Sequence, residues 1–274
     1  MDTLQAIMGT VAEQTTETAL KSIPRLVRSD ESPIVPFACA IAIAFHQSSA
    51  TRLSPERKKV FEKLATESNK RAKRLALEDS AESLIARGTA QLLKYMRYQF
   101  NGCPHVSHRY ARQIEQAKAL IEQASVMEPD NSFYELAHAV SLRFFFIEVQ
   151  YDDGRKQDGF SRLVTLSQQP GSVGRVAKLM VLNHAMRRRQ WDLLLETSRD
   201  LKRAFRRSSC MRTYAGIAHL YLGHEALARQ QLKIALRMNP NDLFTQRQLD
   251  RTEEFFRKRR SIQKRTRGRQ QYQR

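Results

Sequence analysis

One set of intervals occurs twice in this chain and limits its fold more than any other feature. Ala117, Ile121, Ala124 and Pro129 are spaced four, three and five residues apart, and Ala228, Leu232, Ala235 and Pro240 repeat those intervals. Positions i, i+4 and i+7 share one face of a helix, so each set describes an apolar stripe edged by small side chains against which a second helix can lie closely. The proline that follows stops the helix. In the stretch 209–242, SCMRTYAGIAHLYLGHEALARQQLKIALRMNPND, Gly216 stands twelve residues before Ala228, and Gly223-His224 supplies a turn between them. Ile217, Leu220, Tyr221, Leu227, Leu232, Ile234 and Leu236 fill helical-period positions around those small residues. The pattern predicts two antiparallel helices in close contact.

Related units precede it. Residues 81–131 offer a first helix from Ala81 to Tyr98 containing Ala86 and Gly88, an inserted loop Asn101-Gly102-Cys103-Pro104-His105, and a second helix with the repeated intervals. Residues 132–170 offer a helix from Phe133 to Val149, a turn at Tyr151-Asp152-Asp153-Gly154, and a second helix around Phe160, Leu163 and Leu166. Residues 175–208 lie thirty-four residues ahead of the clearest unit, with Leu182, Trp191, Leu194 and Leu201 in equivalent places. A fainter pair runs from Pro36 to Leu77, where Ser54-Pro55-Glu56 opens its second helix. No stretch sustains the alternation of a strand. The expected fold is therefore all-α, an antiparallel helix-pair solenoid over 33–242. A polar capping helix, 243–260, follows with Leu249, Phe255 and Phe256 as packing contacts, and then a disordered basic tail, 261–274. Ahead of the array, 1–32 form an N-terminal segment in which Leu4, Ile7, Met8 and Val11 make a docking helix face.

Charge divides the chain differently. It carries 47 Lys+Arg against 28 Asp+Glu in 274 residues, a net charge of +19. Residues 52–74, 187–207 and 251–274 contribute +6, +5 and +8, so the rest is neutral and the basicity is local. Cys39, Cys103 and Cys210 are odd in number and far apart, which predicts free thiols and a reducing compartment. The start, Met1-Asp2-Thr3-Leu4, lacks the basic residues and apolar run of a secretory leader. The longest apolar run, Ile34 to Phe45, is too short to cross a bilayer and contains Pro36. A cytoplasmic protein without a transmembrane segment is expected.

Catalytic motifs are lacking. There is no phosphate-binding glycine loop, no G-x-S-x-G, no H-E-x-x-H and no paired C-x-x-C. Cys103, His105 and His108 do not have zinc spacing, and Asp152, Asp153 and Asp158 do not have calcium-loop spacing, so no metal or cofactor is expected.

The unit 209–242 resembles a tetratricopeptide repeat of bacterial type. Ala215-Gly216 fit that family's Leu-Gly pair, Ala228 its small residue, Leu232 its later aromatic slot and Pro240 its terminal proline, while Arg212 and His219 replace the usual Trp and Tyr. The resemblance implies a superhelix whose concave groove holds a peptide or amphipathic helix of another protein. The groove would be lined by Phe133, Leu136, Val140, Arg143, Phe144, Leu179, Asn183, Met186, Arg187, Thr213, Ile217, Leu220 and Tyr221. The implied function is a non-enzymatic scaffold, chaperone or regulatory adaptor. The layout of 81–131 is also similar to the repeat half of bacterial transcriptional activators, without a winged-helix pattern ahead of it. An alternative reading uses the basic stretches for nucleic acid or another polyanion, with Arg257, Lys258, Arg259, Arg260, Lys264, Arg265, Arg267 and Arg269 making the contacts.

Overall fold

Most adjacent helices pack in pairs, and prolines stand in several of the links between them. The computed structural model describes residues 17–45, 55–100, 108–144 and 153–271. Within these it forms α1 (Glu17–Arg28), α2 (Val35–Phe45), α3 (Pro55–Arg74), α4 (Ala81–Phe100), α5 (His108–Met127), α6 (Ser132–Phe144), α7 (Asp153–Ser167), α8 (Gly171–Arg188), α9 (Trp191–Ala204), α10 (Ser209–Tyr221), α11 (Glu225–Met238) and α12 (Leu243–Gln271). No strand occurs among the described residues. None of the described helices is long and apolar enough to cross a membrane.

Capping chemistry sets the starts. Ser80 Oγ accepts from Ser83 N at 3.2 Å ahead of α4, and Asn131 Oδ1 accepts from Phe133 N at 3.2 Å ahead of α6. Ser208 Oγ accepts from Met211 N at 3.4 Å ahead of α10, and Asp242 Oδ1 accepts from Phe244 N at 3.0 Å and Thr245 N at 3.2 Å at the head of α12. Pro129, Pro170 and Pro240 stand in the links before α6, α8 and α12, where a helix has ended.

Contacts gather the chain into two compact units, Met1–Asn183 and His184–Arg274. In the first, α2 is buried from Val35 to Ile43: Phe37, Ala38, Cys39, Ala40, Ile41, Ala42 and Ile43 are fully enclosed, as its apolar sequence requires. Helix α3 packs on α1, α2 and α4, α4 on α5, and α6 on α7; second neighbours α2 and α4, and α4 and α6, also touch. Arg162 of α7 bridges Glu135 of α6 at 3.0 Å and Asp158 at 3.1 Å. In the second unit α10 is enclosed between α9 and α11, and α12 covers it from α11 onwards.

The small residues stand where helices meet. A methyl group added at Gly216 would lie 2.7 Å from Leu232 Cγ and 3.3 Å from the Ala228 carbonyl oxygen. One added at Gly88 would lie 2.6 Å from Ile121 Cγ1 and 2.9 Å from the Ala117 carbonyl oxygen. The two hairpins, α4–α5 and α10–α11, thus use the same contact, glycine against an alanine and a branched residue one turn later. Ala117, Ala124, Ala228 and Ala235 are all fully buried.

Two boundaries differ from the sequence-based expectation. Asp153 and Gly154 belong to α7, because the 132–170 hairpin resumes its helix there, whereas the expected turn put them in a link. Helix α12 does not stop near Arg260; it runs to Gln271, since Lys, Arg and Gln are good helix formers and no Pro intervenes. The expected disordered tail is therefore helical as far as Gln271. The expected docking face of Leu4, Ile7, Met8 and Val11 and the residues Cys103 and His105 lie outside the described residues.

Candidate functional site

The basic stretch 52–74 becomes α3, and its charges divide between two tasks. Arg57 and Arg71 turn inward. Arg57 Nη1 donates to the Ile43 carbonyl at 3.2 Å, at the end of α2. Arg71 donates from Nη2 to the Val27 carbonyl at 2.6 Å and from Nη1 to the Ser32 carbonyl, while its Nε donates to Glu67 Oε1 at 3.2 Å. A guanidinium fork suits this role, because helix C-termini leave carbonyls without intrahelical partners and carry partial negative charge. Arg71 thereby ties the end of α1 and the following link to α3.

Lys59, Lys63 and Lys70 turn outward. Their spacing, i, i+4 and i+11, keeps them on one face of α3 over about 16 Å. They border a cleft of about 510 Å³ closed by the C-terminal end of α1 and by Arg97 of α4. Pro24, Val27 and Leu64 form its base, Arg28 stands on the α1 side, and Glu62, Thr66 and Glu67 complete the wall. The two acids already have cationic partners: Glu62 lies 3.8 Å from Arg97 and Glu67 3.2 Å from Arg71. Among the described residues no carboxylate pairs with Arg28, Lys59, Lys63 or Lys70, so the rim carries surplus positive charge above an apolar base. Lysine stems extend the apolar lining while their ammonium groups stay in water.

The groove residues expected from the repeat resemblance are distributed otherwise. Leu136, Val140, Leu179, Thr213 and Ile217 are fully buried and Leu220 is nearly so, packed among the helices. In α10 the cause is visible. Thr213 Oγ1 lies 2.6 Å from Thr245 Oγ1 of α12, and Leu220 packs with Ala228 and Phe256. Phe133, Asn183 and Met186 are half-buried, and Arg187 and Tyr221 are exposed. The side chains of Arg143 and Phe144 lie outside the described residues.

The C-terminal cations expected to meet polyanions are partly engaged. Arg257, Lys258, Arg259 and Arg260 are exposed on α12. Lys258 pairs with Glu254 at 2.6 Å, and Arg260 reaches Glu225 of α11 at 3.5 Å. Lys264, Arg265, Arg267 and Arg269 belong to the same helix, but their side chains lie outside the described residues.

His219 faces His224 with their Nδ1 atoms 3.2 Å apart. Burial, the Arg199 guanidinium, His224 and Lys202 push the His219 pKa down to about 4, so this imidazole is neutral near pH 7. Among the described residues no group of three His, Cys, Asp or Glu side chains converges as a metal site would require.

The cleft's signal was present in the sequence as the Lys59, Lys63, Lys70 stripe. What sequence reasoning missed was that Arg57 and Arg71 of the same stretch turn inward. No protein-family model and no curated protein sequence matches this chain.

Proposed function

We propose that the chain is a non-enzymatic interaction protein, an adaptor or chaperone built as a tetratricopeptide-like array. Its N-terminal unit takes an acidic amphipathic helix of a partner protein. The carrying observation is the cleft between α1, α3 and α4, with four cations lacking carboxylate partners around a base of Pro24, Val27 and Leu64. Charge complementarity favours an acidic ligand and directs encounter, while the exposed stems of Lys59, Lys63 and Lys70 offer apolar surface to its aliphatic side chains. Protein is favoured over nucleic acid at this cleft because no aromatic ring lines it for a base to stack on.

The test is binding of a fluorescein-labelled helical peptide with Leu at i, i+3, i+4 and i+7 and Glu on the flanks. Lys63→Glu with Lys70→Glu should weaken it at least tenfold. Lys73→Glu with Arg74→Glu, exposed on α3 outside the cleft, should leave affinity within about twofold. Equal losses from both pairs would reduce the effect to net charge and defeat the assignment.

A further inference from the structure

The turn between α8 and α9 contains an arginine where the chain's own repeat places a glycine. In the α10–α11 hairpin, Gly223 adopts φ +82, His224 N donates to the His219 carbonyl at 2.8 Å, and Gly223 N donates to the Leu220 carbonyl at 3.1 Å. Thirty-four residues earlier the same turn is made by Arg189, at φ +58: Gln190 N donates to the Ala185 carbonyl at 2.9 Å, and Arg189 N donates to the Met186 carbonyl at 3.4 Å. This helix ending favours glycine because a Cβ is unfavourable in the left-handed region. Arg189 is the one described non-glycine residue at positive φ. Strain kept at one turn and relieved at its repeat mate directs attention to what the side chain does.

What surrounds it is cationic and aromatic. Arg187, Arg188 and Arg189 are consecutive and exposed, and none forms an ion pair among the described residues. Immediately beyond them Trp191 stacks on Tyr221, rings nearly parallel at 10° with centroids 4.1 Å apart. Tyr221 is 51% exposed, so the ring stacked on Trp191 reaches solvent. Eleven residues further along α9, about 16 Å, burial and the neighbouring Arg212, Arg199 and Arg203 push the Lys202 pKa down, a sign of concentrated positive charge. Asp192 and Glu196, both exposed, are acids of the same helix.

We infer that the α8–α9 turn and the Trp191–Tyr221 stack form a binding site for single-stranded nucleic acid. The arginines take phosphates, and Tyr221 takes a base on its outer face. A stacked ring beside unpaired guanidinium groups serves a strand whose bases are free, since every base offers a π face and every nucleotide a charge. A duplex keeps its bases stacked on one another and gains only the electrostatic part. An acidic peptide would likewise use the charges and gain little from the flat aromatic surface.

The experiment uses the full chain and dye-labelled oligo(U) and oligo(dT), with a duplex of equal length, across a salt series. Trp191 is the chain's single tryptophan, so quenching of its fluorescence reports this site and not the cations of α12. Saturable quenching by the single strands, with the duplex binding more weakly, is expected. Tyr221→Ala should weaken single-strand binding about tenfold and Tyr221→Phe should restore it. Arg189→Gly is the decisive variant. It should raise the unfolding midpoint by relieving the turn, yet reduce affinity several-fold and flatten the log–log salt slope by about 0.7. Wild-type affinity in both Arg189→Gly and Tyr221→Ala, or binding without Trp191 quenching, would overturn the inference. Oligo(U) bound more tightly than oligo(dT) would identify RNA as the ligand, and the reverse would identify DNA.

Discussion

Gly88→Ala sets two effects of opposite sign against each other. Replacing glycine by alanine inside a helix favours the helix by about 1 kcal/mol. Here the new methyl would stand 2.6 Å from Ile121 Cγ1 and 2.9 Å from the Ala117 carbonyl oxygen, closer than packed atoms allow. The carbonyl belongs to α5 backbone and cannot swing aside, so α4 and α5 must move apart. Overpacking of this kind costs about 1–3 kcal/mol. The net expectation is destabilisation of about 1–2 kcal/mol, read as a lower urea midpoint at unchanged m-value in far-ultraviolet circular dichroism. Gly216→Ala should cost less, because its closest contact is the Leu232 side chain and the Ala228 carbonyl lies at 3.3 Å. A double variant, Gly88→Ala with Ile121→Ala, should lose less stability than the two single losses added, since the added methyl enters the space the isoleucine leaves. If Gly88→Ala instead stabilised the chain by the full helix-propensity gain, the close α4–α5 contact would not exist.

Other consequences follow from single groups. Arg71→Met removes the guanidinium donor from the Val27 and Ser32 carbonyls, which keep only the long backbone bonds from Asp30 N at 3.3 Å and Val35 N at 3.4 Å, and should cost about 1–3 kcal/mol by urea denaturation, with Arg71→Lys recovering only part. Asp242→Ala removes the acceptor for two backbone amides at the head of α12 and the partner of Thr245 Oγ1 at 2.7 Å, costing about 1–2 kcal/mol in the same assay. For His219 the folded pKa is about 4 and the unfolded value near 6.5, so its contribution is complete above pH 6.5 and falls away as pH drops towards 4. Those two values set that loss at up to about 3 kcal/mol, and it should be smaller in a His219→Gln variant, as followed by Trp191 fluorescence.

The helix pairs were legible because close approach demands small residues, and Gly216 with Ala228 and Ala235 can be found by interval alone. The helix starts carried a comparable signal that went unread, since Ser80, Asn131, Ser208 and Asp242 are short polar side chains at the heads of the helices they cap. The groove was not. Leu136, Val140 and Ile217 fit a ligand-facing stripe and a packing stripe equally well, because both require apolar residues at helical spacing. Only tertiary packing, such as α12 lying against α10, distinguishes buried positions from exposed ones along such a stripe. The division of 52–74 into Arg57 and Arg71 inside and Lys59, Lys63 and Lys70 outside was half visible. The lysine stripe can be counted along the chain, whereas the carbonyls of Val27, Ser32 and Ile43 reach the arginines only through tertiary folding. Arg189 illustrates a third case: its equivalence to Gly223 follows from the thirty-four-residue period, but its left-handed backbone does not.

Hydrogen–deuterium exchange of the full chain, with and without a saturating acidic amphipathic peptide, addresses the proposed partner site most directly. Slowed exchange confined to the end of α1 around 24–28 and to α3 across 59–70 is the predicted result. Protection centred on α6 or α10, or no protection at the α1–α3 cleft under saturation, would contradict it.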